Sequence, residues 1–133
     1  MHITLESDYA IRIMIFMAQQ NRRVDAKTIS ESTEVTLRFS LKILRKLAAN
    51  GIVRSFKGTQ GGYELARPAS EITLREIVET VEGTYYLSRC LNPECGCNRQ
   101  EPSSVPCKTQ KVFCEISGMV QEKLAAVSLQ QLI

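Results

Sequence analysis

The sequence predicts a mainly α-helical fold that carries one small β-hairpin and ends in a long helix. Three observations predict it. Amphipathic helical segments fill the first fifty residues, two short apolar segments then flank a glycine-rich turn, and another helical pattern covers residues 108–126. All five cysteines lie between the hairpin and the middle of this last helix, in residues 90–114.

The first three helices follow from apolar spacing and from capping residues. Apolar side chains recur at helical spacing over about residues 6–20, which predicts the first helix. Asp25 is suited to cap a second helix that runs to about Ser32. Thr36 is suited to cap a third helix, and the Asn-Gly pair at residues 50–51 is suited to end it.

Two short strands are expected after the third helix, at Ile52–Phe56 and Tyr63–Ala66. The segment KGTQGG joins them, and its glycines suit turn positions that need a positive φ. Helix, helix, tight turn, helix and hairpin is the element order of a winged helix-turn-helix. We therefore predict such a domain over residues 1–83.

A basic block coincides with the predicted third helix and hairpin. Residues 35–63 contain six basic side chains and no acidic one, so the rest of the chain is net acidic although the whole carries +3. A basic block within an acidic remainder is typical of nucleic-acid binding, and a solvated helix face is the alternative.

In a winged helix-turn-helix, the third helix enters the major groove of double-stranded DNA. A basic pair four residues apart shares one face of this helix, and two hydroxyls lie beside it. The hairpin tip adds an amine and an amide. The predicted DNA-binding residues are Thr36, Arg38, Ser40, Lys42, Lys57 and Gln60.

Three segments of the chain form a specific pattern: SDYAIRIMIFMA, FSLKILRKLAANGIV and KGTQGGYELARPASEITLREIV. Together they resemble the Rrf family of winged-helix bacterial transcription regulators, of the iron–sulfur-dependent IscR/NsrR type. The third is the most specific, because a glycine turn and an aromatic strand precede Pro-Ala-Ser and a capped helix. The resemblance covers essentially the whole chain and implies a repressor that binds an operator as a homodimer.

The resemblance also implies that the last segment, residues 108–133, mediates dimerisation. Its helix carries apolar residues at intervals of three to four, and Ser128 can cap a short terminal turn. A core helix within one chain is the alternative. The apolar positions are Val112, Ile116, Met119, Val120 and Leu124.

The intervening segment, residues 84–107, is expected to bind a cofactor. Thiolates are soft ligands for iron–sulfur clusters and for zinc. The resemblance implies a [4Fe-4S] or [2Fe-2S] cluster held by three cysteines and by a carboxylate from the first helix of the other subunit. The expected ligands are Cys90, Cys95, Cys107 and Asp8.

Several alternatives stay open for these residues. Cys97 is an extra thiol and can replace Cys95 as a ligand, whereas Cys114 is expected to be a buried helical cysteine. Asp8 can instead stabilise the helix dipole. The regulator can also lack a cluster and use a thiol switch, bound zinc or a protein partner.

Other classes of protein fit the sequence poorly. No apolar run approaches the ~18 residues of a membrane span, and charged residues interrupt the N-terminus, unlike in a signal peptide. We therefore expect a cytoplasmic protein. Cys95-x-Cys97 lacks the spacing of a redox motif and His2 is the only histidine, so neither an enzyme nor a small-molecule substrate is expected.

Overall fold

The helices and the hairpin follow one another in the predicted order. A computed structural model describes residues 2–95, 97 and 107–133, and the predicted mainly α fold with a hairpin is confirmed there. Its elements are α1 (Leu5–Gln20), α2 (Ala26–Thr33), α3 (Leu37–Ala49), β1 (Val53–Phe56), β2 (Gly62–Leu65), α4 (Leu74–Glu82) and α5 (Lys108–Ala126). No helix in the described ranges is long and apolar enough to cross a membrane.

The predicted caps form at both helices of the helix-turn-helix. The Asp25 carboxylate accepts a hydrogen bond from the Thr28 amide at 2.9 Å, and the Thr36 hydroxyl accepts one from the Phe39 amide at 3.3 Å. At the end of α3 the left-handed residue is Gly51, with φ of 71°, while Asn50 keeps a negative φ. Glycine has no Cβ to clash in this conformation, so α3 ends there.

One hydrophobic core holds α1, α3 and α4 together. The inner face of α3 is fully buried, which leaves the opposite face of this helix for solvent or a ligand. The largest fully buried side chains are Ile13, Met14, Met17, Ile29, Ile43, Leu44, Leu47, Ile52, Ile72, Ile77 and Leu129.

The hairpin is joined to the helices through the segment before α2. Val24 and Tyr63 exchange two backbone hydrogen bonds, at 2.9 and 2.8 Å. Gly62 makes this close approach possible, because a Cβ at that position would lie 2.6 Å from the Val24 carbonyl oxygen. The hairpin therefore has a set position relative to α2 and α3.

The C-terminal turn after α5 is part of the same core. The Leu129 side chain is 0% exposed, and its amide donates to the Ile72 carbonyl at 2.8 Å. The Leu74 amide at the start of α4 donates to the Val127 carbonyl at 2.8 Å. The end of α5 is thereby attached to the N-terminus of α4, which the sequence pattern did not predict.

Candidate nucleic-acid interface and cysteine segment

The outer face of α3 presents positive charge. Arg38 and Arg45 are exposed and make no hydrogen bond or ion pair within the described part of the chain. They lie seven residues apart, about two turns, and therefore on the same side of the helix. Thr36 is exposed at the N-terminus of α3, beside Arg38. These three residues are accessible to a large polyanion.

Ser40 does not belong to this surface, and its prediction as a DNA-binding residue is wrong. Its side chain is 0% exposed, and its hydroxyl donates to the Val35 carbonyl at 3.3 Å. Ser40 lies between the buried Ile43 and Leu44 and the turn before α3, where it satisfies a backbone acceptor. Ser40 lies four residues before Leu44 and seven before Leu47, so it shares the buried side of α3 with them.

Two lysines of α3 form ion pairs with α1. Glu6 accepts hydrogen bonds from Lys46 at 2.6 Å and from Lys42 at 3.3 Å. Burial by itself raises the pKa of the Glu6 carboxyl, but Lys46 and Lys42 outweigh this effect, so its pKa lies below the ordinary value. Both pairs are therefore formed at neutral pH, and Lys42 carries less free charge than the sequence suggested.

Arg23, which lies outside the basic block, contacts the hairpin tip. The Arg23 guanidinium lies 3.4 Å from the centre of the Phe56 ring and donates to the Gln60 carbonyl at 3.2 Å. Stacking of this kind orients both groups. Lys57 and Gln60 are exposed at the tip, as their predicted role requires. Arg23 was not among the predicted residues of this surface, because it precedes α2 and lies far along the chain from the hairpin.

The cysteine segment begins against α5. The Leu87 amide donates to the buried Ser117 hydroxyl at 2.9 Å, and the Gln121 side chain donates to the Tyr85 carbonyl at 2.7 Å. Because Ser117 and Gln121 are one turn apart, they tie residues 85–87 along the body of the helix.

Cys90 is held at the first turn of α5. The Gln110 side chain donates to the Cys90 carbonyl at 3.4 Å, and the Ser88 hydroxyl lies 3.2 Å from the Cys90 sulfur. Cys107 is the N-cap residue of α5, three residues before Gln110. Two of the predicted ligands, Cys90 and Cys107, are thus brought to the same end of one helix, and both are half-buried.

The remaining predicted ligands do not join them within one chain. Cys95 and Cys97 are exposed, and Asp8 forms an ion pair with Arg12 at 2.8 Å in the first turns of α1. Among the described residues, no three His, Cys, Asp or Glu side chains lie close enough together to hold a metal ion. Part of the predicted cofactor segment, residues 96 and 98–106, lies outside the described residues. Thiolates are soft donors of the kind that iron–sulfur clusters take, and Cys90 and Cys107 are the two predicted ligands that lie at the same end of α5.

Cys114 is exposed, so its predicted burial is wrong. Its place two turns after Cys107 puts both residues on one side of α5. They line a groove of about 340 Å³ together with Leu91 and Lys111. This side of α5 is open because it faces the cysteine segment and not the hydrophobic core.

The apolar stripe of α5 divides into two faces. Val120 and Leu124 line a cleft against the end of α4. Val112, Ile116 and Met119 face away from the body, and Met119 is 69% exposed. Among the described residues, these three do not belong to the hydrophobic core or pack against it.

Comparison with known proteins agrees with this architecture. The model of the Rrf2 family, described as an iron-dependent transcriptional regulator, matches residues 3–133. The regulator IscR of Photorhabdus laumondii is 30% identical over 135 residues, which cover 100% of this chain and 79% of the relative. The regulator NsrR of Shouchella clausii is 26% identical over 128 residues, covering 95% and 79%.

A solved structure shares the fold. The oxidized form of CymR from Staphylococcus aureus has a TM-score of 0.74 and 23% identity, and the match covers 99% of this chain and 95% of that one. The relatives named above are regulators of transcription, and none is named as an enzyme. The family resemblance read from the three sequence segments is confirmed, and the chain belongs to the Rrf2 family of transcriptional regulators.

Proposed function

We propose that the protein is a homodimeric repressor whose affinity for operator DNA is switched by an iron–sulfur cluster. The observation that carries this proposal is the position of α5. Its first turn holds Cys90 beside Cys107, and its far end is attached through Leu129 to the core that supports α3. A change in the cysteine segment can therefore reach the DNA-binding helix through one rigid element.

The DNA-binding surface consists of the outer face of α3 and the hairpin tip. Its residues are Thr36, Arg38, Lys42, Lys57 and Gln60, and Arg45, which has no ion pair with any described residue, adds to them. The cations neutralise phosphates, and the first turn of α3 reaches base edges.

The dimer forms through the outward face of α5. Val112, Ile116 and Met119 recur at intervals of four and three residues, which produces one apolar stripe along the helix. Pairing this stripe with its copy removes exposed apolar surface from water at both helices. It also sets the spacing of the two α3 helices on the operator.

The cluster is ligated by Cys90, Cys95 and Cys107 of one subunit and by the Asp8 carboxylate of the other, with Cys97 as the alternative to Cys95. Asp8 would have to leave its ion pair with Arg12, which is exposed and therefore weak. When bound, the cluster supplies the reactivity towards nitric oxide, oxygen or iron loss. The protein contributes the soft donors and connects them to α5.

The test is a visible spectrum with iron and sulfide analysis on anaerobically purified protein. We expect visible absorbance and stoichiometric iron and sulfide, both lost in Cys90→Ala and Cys107→Ala. Cys114→Ala is the matched control and should retain both, because Cys114 is outside the proposed ligand set. A wild-type protein that stays colourless after anaerobic reconstitution would contradict the proposed cluster, but it would leave the proposed DNA binding unaffected.

A regulator of the same fold without a cluster is the second candidate. It is favoured by the exposure of Cys95 and Cys97, which are accessible to oxidants, and by the lack of a three-residue metal site among the described residues. In that case the colourless protein should lose or gain operator affinity on thiol oxidation or zinc addition. Replacing Cys95 and Cys97 together should abolish this response.

Removing the Glu6 carboxylate is expected to strengthen DNA binding. The Glu6→Gln variant frees Lys42 and Lys46 from their ion pairs and removes one negative charge beside α3. We expect the affinity for operator DNA to rise severalfold at low salt, with a salt dependence steeper by about one counterion. Fluorescence anisotropy over a series of salt concentrations measures both quantities.

Glu71→Gln is the matched control for this variant. Glu71 is exposed beyond the hairpin and forms no ion pair within the described residues, yet its replacement changes the net charge equally. An equal gain in both variants would mean that net charge alone is responsible, and that Glu6 does not restrain the lysines.

A further inference from the structure

Two leucines lie on the outer part of α3, beside its cations. Leu37, the first residue of the helix, is 45% exposed, and Leu41 is half-buried one turn later. Among the described residues, neither belongs to the hydrophobic core or packs against it, whereas Leu44 and Leu47 of the same helix are fully buried. Leu37 and Leu41 therefore form a small apolar strip outside the core.

The surroundings of this strip indicate its partner. At about 100° per residue, Leu37 and Leu41 lie next to the row formed by Arg38 and Arg45. Those cations are unpaired within the described residues and complement phosphates on either side of a groove. A basic surface of this kind disfavours an apolar protein partner, because the arginines would lose water without gaining a counter-charge.

On the edges of DNA bases in the major groove, the thymine C5-methyl is the apolar group. The N-terminal residues of a recognition helix are the ones that meet base edges, and Leu37 begins α3. On the basis of the proposed function, we infer that Leu37 is a specificity-determining residue that contacts a thymine methyl in each operator half-site. Leu41 supports it from one turn further along.

The experiment uses the full-length, anaerobically purified protein and a duplex that it enriches from a random-sequence library. Each thymine of this duplex is replaced in turn by deoxyuridine, which removes only the methyl group. At one thymine per half-site we expect the wild-type affinity to fall about fourfold, the value of one buried methyl. The Leu37→Ala variant should bind both duplexes with equal, weaker affinity.

Leu132→Ala is the control, since Leu132 is also an exposed leucine but lies in the C-terminal turn; it should keep the full methyl effect. Leu37→Ser serves as a second variant, and circular dichroism checks that both Leu37 variants fold. An enriched site without thymine, or a methyl effect that persists in both variants, would overturn the inference. The inference would also be overturned if the Leu37 variants lost self-association but kept the methyl effect. If the wild-type protein enriches no sequence at all, DNA binding itself fails, which is a distinguishable result.

Discussion

Replacing Leu129 with alanine should lower the free energy of unfolding by about 3 kcal/mol. Leu129 is the residue of the C-terminal turn whose side chain is completely buried, and it joins the core formed by α1 and the start of α4. Truncation removes buried methyl groups and leaves a cavity, because the backbone hydrogen bond from the Leu129 amide to the Ile72 carbonyl keeps the turn in place. Urea unfolding followed by circular dichroism measures the loss.

Leu132→Ala is the matched control, with the same chemical change three residues later. Leu132 is 36% exposed, so its truncation should cost less than about 1 kcal/mol. Equal losses in the two variants would contradict the placement of Leu129 in the core.

Replacing Met119 with lysine is expected to weaken the dimer by at least about 100-fold. Met119 is the most exposed residue of the proposed interface, and twofold symmetry introduces the new charge twice. Burying an unpaired ammonium group costs several kcal/mol, and each 1.4 kcal/mol changes a dissociation constant about tenfold. Sedimentation equilibrium at micromolar concentrations should therefore show a monomer.

Ala125→Lys is the matched control on the same helix. Ala125 is exposed and lies nine residues, about two and a half turns, after Ile116, on the opposite side of α5. This variant should remain dimeric and bind the operator as the wild type does. A Met119→Lys protein that stays dimeric would place the interface elsewhere, and the proposed role of the stripe would fail.

The Met119→Lys variant should also lose most of its affinity for an operator that contains two half-sites. A monomer binds one half-site and forgoes the advantage of a linked second site. Its circular dichroism spectrum and unfolding midpoint at low concentration should resemble those of the wild type, because Met119 does not contribute to the core. This separates loss of assembly from loss of fold.

Much of the fold was predictable because its signals are local. Asp25 and Thr36 cap the helices that the sequence assigns to them, since a capping side chain bonds an amide only two or three residues away, and Ser128 is the N-cap residue of the terminal turn. The glycine-rich hairpin and the helix Lys108–Ala126 were also confirmed. Apolar periodicity and turn chemistry depend on neighbours in the chain, and so they can be read without a tertiary structure.

Other features depended on contacts between distant residues. Ser40 was predicted to bind DNA because its hydroxyl lies on α3 near Arg38 and Lys42, but the packing of α3 buries this side chain. Glu6 is 36 residues before Lys42, and its ion pairs exist only because α1 crosses α3. Arg23 reaches the hairpin tip in the same way, through the bridge between Val24 and Tyr63.

The sequence by itself determined the element order, the basic block and the cysteine-rich segment, because each is a property of composition and local spacing. Its three matching segments carried the resemblance to the family. Only the tertiary structure decided which side of each helix is buried and which is exposed to solvent or to a partner. It buried Ser40, exposed Cys114, divided the α5 stripe and drew Leu129 into the core. The physical reason is that burial depends on what packs against a surface, and residues far away in the chain supply that surface.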